Sequence, residues 1–301
     1  MSPKTARHLV VAINPQASFG KNQGAGRTVI DQLVAAGHDV VGIQEGSYQD
    51  LHTKTQAALR KDSVLVVVGG DGMAHLGVDL ATQAGIPLGI IPAGTGNDLA
   101  RHLGIPLGSI PLAIEHFLRA LGQKAQSIDV GISRGSDGTE TPYVCVLSAG
   151  FDAIVNERAN AIKFPKGRHR YTVALLIELW KLKPLSYEVA IDGKDFSGEY
   201  LLVAVANSQS FGGGMKVTPE ASLVDGLVDV LLLKPLGRLE FLRIYPRVFK
   251  GTHVTDRRVI IARGASVRVD ARGVIAYADG ERMGPLPVEV RVAPLALQVF
   301  A

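Results

Sequence analysis

The chain has one cysteine, one tryptophan, few charges of either sign and no long apolar run. A lone cysteine, Cys145, excludes an intrachain disulfide and any multi-cysteine metal site, and fits a reducing compartment. Its neighbours in Tyr-Val-Cys-Val-Leu are apolar, which marks a buried structural thiol rather than a nucleophile. The longest apolar stretches, 64–68 and 172–177, fall far short of the ~18 residues a membrane span needs. The run at 9–13 is too short for the core of a signal peptide. The expectation is a soluble, cytoplasmic protein, with peripheral membrane contact open. Charged residues make up 20% of the chain, below the roughly 25% of an average globular protein. Thirty-two Lys and Arg against 28 Asp and Glu leave a formal charge of +4. That excess suits an anionic partner such as a nucleotide or an acidic membrane surface. It is too small for a nucleic-acid binder, and no basic–aromatic recognition motif accompanies it. A hydrophobic content of 47% over 301 residues excludes disorder and suggests two domains.

The first 130 residues alternate between short apolar runs and helical segments. Runs at 9–13, 40–43, 64–68 and 88–91 read as buried parallel strands. Helices are expected at about 27–36, 49–60 and from 72 to 84, with a short one ending at Gly104. Gly37 and Gly85 stand where helix-terminating glycines belong. Strands separated by single helices imply a three-layer α/β domain, and ligands of such sheets sit at the carboxyl ends of the strands. From about residue 128 the pattern turns β-rich. Strands are expected at 143–147, 186–191, 201–206, 228–233, 259–261, 266–269, 274–278 and 288–292, with hairpin turns at Asp192-Gly193 and Asp279-Gly280. Two helices interrupt, at about 170–182 and 238–249, the second kinked by Pro246. No linker separates the halves, so two abutting domains with a cleft are expected.

Three loops at the strand ends carry the chemistry. In Gly69-Gly70-Asp71-Gly72, glycines permit close backbone approach, and the following helix N-terminus suits a phosphate. A carboxylate in such a place makes sense beside Mg²⁺ or a cationic side chain; read alone, the segment is equally a turn with Asp71 as N-cap. It is neither a Walker A loop nor a dinucleotide fingerprint. One strand later, Pro92-Ala93-Gly94-Thr95-Gly96-Asn97-Asp98 repeats the design, with more polar side chains than a helix cap requires. The third loop, from Asn14 through Ser18 and Gly20 to Lys21, supplies an amide, a hydroxyl and a cation.

The Gly-Gly-Asp-Gly and Pro-Ala-Gly-Thr-Gly-Asn-Asp-Leu-Ala-Arg segments resemble the catalytic domain of the diacylglycerol kinase family. That family includes soluble bacterial lipid kinases and sphingosine and ceramide kinases, and is distantly related to NAD kinases. Ser127-Ile-Asp129-Val-Gly131, Ser148-Ala-Gly150-Phe-Asp152, the stretch from Asn207 to Gly213, Leu223-Val-Asp225-Gly226-Leu227 and Asp279-Gly280-Glu281 extend the likeness over nearly the whole chain. The resemblance implies an NAD kinase/diacylglycerol kinase-like fold: an α/β nucleotide-binding domain at 1–130 with a C-terminal return at about 285–301, and a β-sandwich-type acceptor domain at 131–284. It implies ATP at Gly69, Gly70, Asp71, Gly72 and Met73, completed by Asn14, Gly20, Lys21, Gln44, Thr95, Gly96 and Asn97. Asp71, Asp98 and Asp129, with Lys21 and Lys163, would hold Mg²⁺ through water. Asp225, with the carbonyls of Ser222 and Leu227, resembles a structural Mg²⁺ site; by itself Asp225-Gly226 reads as a plain turn. The Asp279-Gly280-Glu281 turn would carry the general base, with Asp279 and Glu281 both candidates. Phosphoryl transfer through a loose transition state needs alignment and charge neutralisation more than covalent help.

Met73 and His75 stand where the family usually has threonine and asparagine, and Gln44 where a threonine is common, so individual nucleotide contacts differ. His75 reads as a polar residue of the first helical turn. Four cations and two aromatics between Lys163 and Tyr171, with Trp180 beyond, suit an anionic bilayer surface; a solvated helix entry is an equal reading. The expectation is an ATP- and Mg²⁺-dependent lipid kinase acting on diacylglycerol to give phosphatidic acid. The alternatives are a same-fold kinase for a sphingoid base, ceramide, phosphatidylglycerol or NAD, and an inactive nucleotide-binding regulator. The partner is a lipid at an anionic membrane surface, and oligomeric state is open, a homodimer included.

Overall fold

The continuous apolar runs of the first half form the middle of a parallel sheet. A computed structural model describes residues 6–14, 24–150 and 183–301, with Val155, Arg158, Ala174, Ile177 and Glu178. The chain divides into two compact units, Met1–Val130 with Pro294–Ala301, and Gly131–Ala293. In the first, β1 (His8–Ile13), β3 (Ser63–Gly69) and β4 (Leu88–Pro92) are buried at every position, as strands covered on both faces must be. β2 (Asp39–Gln44) is the half-exposed edge. The order is β2, β1, β3, β4 and then the end of β17 (Val288–Phe300), all parallel.

Helices cover both faces. α1 (Ala25–Ala35) and α5 (Ile110–Ala120) share one face with Leu9, Val11 and Ile13 of β1. α2 (Tyr48–Ala58) and α3 (Asp71–Ala84) pack together against the sheet. α1 and α3 end as their glycines require: Gly37 and Gly85 take positive φ of 89° and 64°, a conformation that costs residues with a Cβ. Between α4 (Asp98–His102) and the next strand the chain forms α5, which the sequence reading omitted. Ser109 caps it, accepting the Leu112 N–H, and Pro111 stands in its first turn.

The second unit is a β-sandwich. One sheet runs β13 (Val259–Gly264), β12 (Val228–Leu233), β11 (Leu202–Ala206), β7 (Val146–Gly150), β15 (Ile275–Ala278), β16 (Glu281–Pro285), all antiparallel. Facing it are β10 (Gly198–Tyr200), β8 (Leu185–Ile191), β14 (Ser266–Asp270) and the start of β17, with β9 (Lys194–Asp195) on β8. β5 (Gln126–Arg134) pairs with β6 (Glu140–Tyr143). Alternate residues of both sheets, among them Val203, Val205, Val230, Val189, Val267 and Val290, make a single core. Both Asp-Gly turns have positive φ at both residues, as tight hairpins demand.

Two expectations are corrected. The strand expected at 143–147 is two strands, interrupted at Val144 and Cys145. The strand expected at 288–292 continues to Phe300 as β17. The helix expected at about 238–249 is present as α6 (Arg238–Val248), with Pro246 inside it. The helix expected at 170–182 lies outside the described residues except at Ala174, Ile177 and Glu178.

Phe117 is 1% exposed and meets Phe300 edge-on at 6.4 Å. A Cβ on Gly89 would lie 2.2 Å from its ring. Phe117→Ala should therefore cost about 3–5 kcal/mol in urea unfolding; a loss under about 1 kcal/mol would show that this face repacks freely.

Candidate functional site

In the first unit the strand order reverses at β1, with β2 on one side and β3 on the other. Such switch points open a crevice at the carboxyl ends of the strands. Ile13 stands in register with Gln44 and Val68, and Gly69 with Pro92. Asn14, Gln44, the 69–73 loop and the 92–98 loop therefore begin along one sheet edge. Gln44 and Thr95 are exposed, and Asn14, Gly70, Asp71 and Gly72 are half-buried. The N-terminus of α3 follows Gly70 with no side-chain cap, which leaves a positive dipole end facing the edge.

Asp71 does not cap its own helix. Its Oδ2 accepts the Asn97 N–H at 3.0 Å and its Oδ1 the Asp98 N–H at 2.7 Å, so a residue of α3 caps α4. Asn97, at φ 53°, turns its side chain back instead: Oδ1 accepts from Gly94 N and Nδ2 donates to Gly94 O. The glycines follow from this geometry. A Cβ on Gly96 would fall 2.1 Å from Asp71 Oδ2, and one on Gly94 2.3 Å from the Gly70 Cα. A Cβ on Gly69 would strike Met73, whose side chain is buried. His75 is also buried, at 6% exposure, because α3 is enclosed on all sides from Met73 to Val78. It lies near the start of α3, as the sequence suggested.

Asp98 and Asp129 are almost wholly buried. Asp129 Oδ1 accepts the Leu295 N–H at 2.7 Å, which ties the returning strand to the first unit. Among the described residues no three His, Cys, Asp or Glu side chains are grouped to hold a metal ion. Both Asp71 oxygens already accept backbone N–H groups, so a divalent ion at this edge would be held through its own waters, as Mg²⁺ tolerates. The Asp225 turn fits a direct ion poorly. One Asp225 oxygen pairs with the Arg263 guanidinium and the other accepts the Leu227 N–H at 3.1 Å. The Ser222 hydroxyl accepts the Val224 N–H at 3.3 Å. Arg263 Nε also lies 3.3 Å from Asp229, whose carboxyl is pushed up by burial, so an arginine supplies the positive charge here.

In the second unit the two carboxylates of the 279–281 turn differ. Asp279 accepts the N–H groups of Val144, Cys145 and Val146 at 2.9, 2.8 and 3.1 Å. From the other side Asn207 Nδ2 donates to the Val144 carbonyl, and the Asn207 and Ser208 N–H groups to that of Cys145. This clamp satisfies the backbone where the strand breaks, and Cys145 is buried within it. Burial, and then the Asp279 charge, push the Tyr143 hydroxyl well above its ordinary range. Glu281 is exposed and accepts no such bonds.

Behind the six-stranded sheet lies an apolar hollow that opens to solvent. Leu202, Leu231 and Leu233 form one wall, and Phe241, Ile244 and Val248 of α6 the other.

Residues 8–131 match the model of the diacylglycerol kinase catalytic domain, and residues 145–301 that of the YegS C-terminal NAD kinase beta sandwich-like domain. Over 289 residues the chain is 37% identical to a diacylglycerol kinase of Mycobacterium tuberculosis, covering 95% of this chain and 93% of the relative. The chain belongs to the diacylglycerol kinase family. It is thereby a lipid kinase, of a family that uses a nucleotide phosphate donor. A diacylglycerol kinase of Bacillus subtilis is 32% identical over 79% of this chain and 77% of its own length. The fold matches the solved structure of a diacylglycerol kinase from Bacillus anthracis, with a TM-score of 0.72, 18% identity, and 99% and 98% of the two chains covered. No helix among the described residues is long and apolar enough to cross a membrane.

Against this family frame, the residues implied for the nucleotide lie on one edge of the first unit, except Gly20 and Lys21, which fall outside the described residues. The basic and aromatic residues from Lys163 to Tyr171, with Trp180, fall outside them too. Four features escaped the sequence reading: the Asp71 cap on α4, the Asp279 and Asn207 clamp, the Arg263 ion pairs and the apolar hollow. If the clamp holds the strand break together, Asp279→Ala should cost about 3 kcal/mol in chemical unfolding, while Glu281→Gln stays within about 0.5 kcal/mol. Equal losses would remove the distinction between the two carboxylates.

Proposed function

We propose that the chain transfers the γ-phosphate of ATP, with Mg²⁺, to the hydroxyl of diacylglycerol, giving phosphatidic acid. The apolar hollow beneath α6 carries this reading: its lining suits an apolar chain and offers nothing to the charged groups of NAD. Asn14, the 69–73 loop and Thr95 bind the nucleotide, with the phosphates at the uncapped start of α3. Asp71 and Asp98 would hold Mg²⁺ through its waters, and the ion would supply positive charge for the phosphates. Glu281 is the base, since its carboxylate is exposed while that of Asp279 is committed to three backbone N–H groups. The acceptor hydroxyl gives its proton to Glu281. Its oxygen bonds to the γ-phosphorus as the bond to the β,γ-bridging oxygen breaks, and ADP leaves. The charge of the transferring group is the main burden, which suits a site whose donors are fixed amides.

The test is labelled-ATP transfer to diacylglycerol, a sphingoid base, ceramide, phosphatidylglycerol and NAD in parallel. Label is expected in diacylglycerol, with Glu281→Gln lowering kcat about 10²–10⁴-fold and leaving the KM for ATP within about threefold. Label in NAD alone would sink the lipid reading, and nucleotide binding without any transfer would favour a regulator. A second variant probes the hollow. Val248→Trp should lower kcat/KM for long-chain acceptors by about tenfold or more, with a smaller loss for short-chain ones; equal losses would place the acyl chains elsewhere.

A further inference from the structure

α6 is apolar on two opposite faces. Phe241, Ile244 and Val248 look into the hollow. On the other side Leu239 is 83% exposed, Leu242 46% and Phe249 47%. At ~100° per residue these three, with exposed Pro246, fall within one quadrant of the helix. Cations border that quadrant, with Arg238 along one side and Arg243 and Lys250 along the other, all exposed. From 234 to 250 the chain has five Lys and Arg against a single carboxylate, Glu240. That carboxylate is neutralised, accepting the Gly237 N–H and pairing with Arg258. Isolated exposed leucines are ordinary, but an aligned row edged by cations is not scatter.

We propose that the outer face of α6 docks on an anionic lipid bilayer, with Leu239, Leu242 and Phe249 entering the headgroup boundary and Arg243 and Lys250 meeting lipid phosphates. Apolar insertion and charge attraction both strengthen such binding. The charge pattern commits the face to anionic lipid rather than to a neutral apolar partner. The proposal rests on the lipid-acceptor reading in one respect: the helix that meets the bilayer also walls the hollow assigned to the acyl chains.

The experiment is sedimentation of the full chain with vesicles of phosphatidylcholine alone and of phosphatidylcholine with 30% phosphatidylglycerol. Binding is expected only to the anionic vesicles, and it should weaken as salt rises. Leu239→Asp with Leu242→Asp should reduce it at least tenfold. Arg243→Glu with Lys250→Glu should do the same, since each cation removed near the surface is worth about fivefold. Neither pair touches the hollow, so thermal midpoints and transfer to a water-soluble short-chain diacylglycerol should match the unaltered chain. Absence of binding to anionic vesicles, or binding undiminished in both variants, would overturn the proposal while short-chain transfer continued. A dimer in light scattering that Leu239→Asp dissolves would assign the face to a second copy instead. Vesicle binding without transfer to any lipid would leave docking standing and remove the acceptor assignment.

Discussion

The Asp71 carboxylate fastens the carboxyl edge of the sheet in the first unit. α4 has five residues, too few to be stable alone, and Asn97 turns its own side chain away from the cap position. The first-turn amides of α4 need an acceptor, and Asp71 supplies one from the start of α3. The contact sets the two loops at a fixed separation, close enough that Gly70 and Gly94 touch and Gly96 can have no side chain. The glycines therefore answer first to the fit of loop on loop. The capacity to bind an anion comes from elsewhere, from the uncapped amides and dipole of α3. Removing the Asp71 carboxylate would leave the first-turn amides of α4 without this acceptor.

A second carboxylate makes the same kind of contact in the sandwich. Asp279 gathers three consecutive N–H groups that would otherwise lack partners where the strand breaks, and Asn207 and Ser208 take the carbonyls. Buried backbone groups left unpaired are costly, so the break exists only because both sides are answered. The 279–281 turn is thus anchored through its first residue and presents its third. One carboxylate of the turn is thereby committed to the backbone and the other is left exposed.

Most of the first unit was legible because each signal was local. The valine run at 64–68, the glycines at 37 and 85 and the loop residues at the strand ends all act within one turn or strand. α5 carried equally local signals in Ser109 and Pro111, with apolar residues at 113, 114 and 117. The strand break was not legible, since Tyr-Val-Cys-Val-Leu has continuous apolar character and its interrupting partner lies more than a hundred residues away, at Asp279. The Asp71 cap likewise joins positions 71 and 98. Side chains that serve distant backbone leave no periodic trace. The family resemblance placed these residues at the site but attached them to ligands, and the geometry gives their first partners within the chain.

β12 shows how the second unit comes to hold an apolar hollow. Val228, Val230 and Leu232 face the sandwich core, which leaves Leu231 and Leu233 on the opposite face, where a strand exposed to water would alternate to polar residues. Those leucines require a cover, and α6 provides it with Phe241, Ile244 and Val248 without filling the space between. Close-packed interiors seldom leave such volume. An apolar space that a few larger side chains would fill is therefore a feature of the sequence rather than a failure of packing. β12 is buried at every position although Leu231 and Leu233 lie outside the sandwich core, so their burial depends on α6. Among the described residues, the Gly-rich loops at the sheet edge of the first unit carry no comparable apolar surface, so the apolar signal lies in the second unit alone.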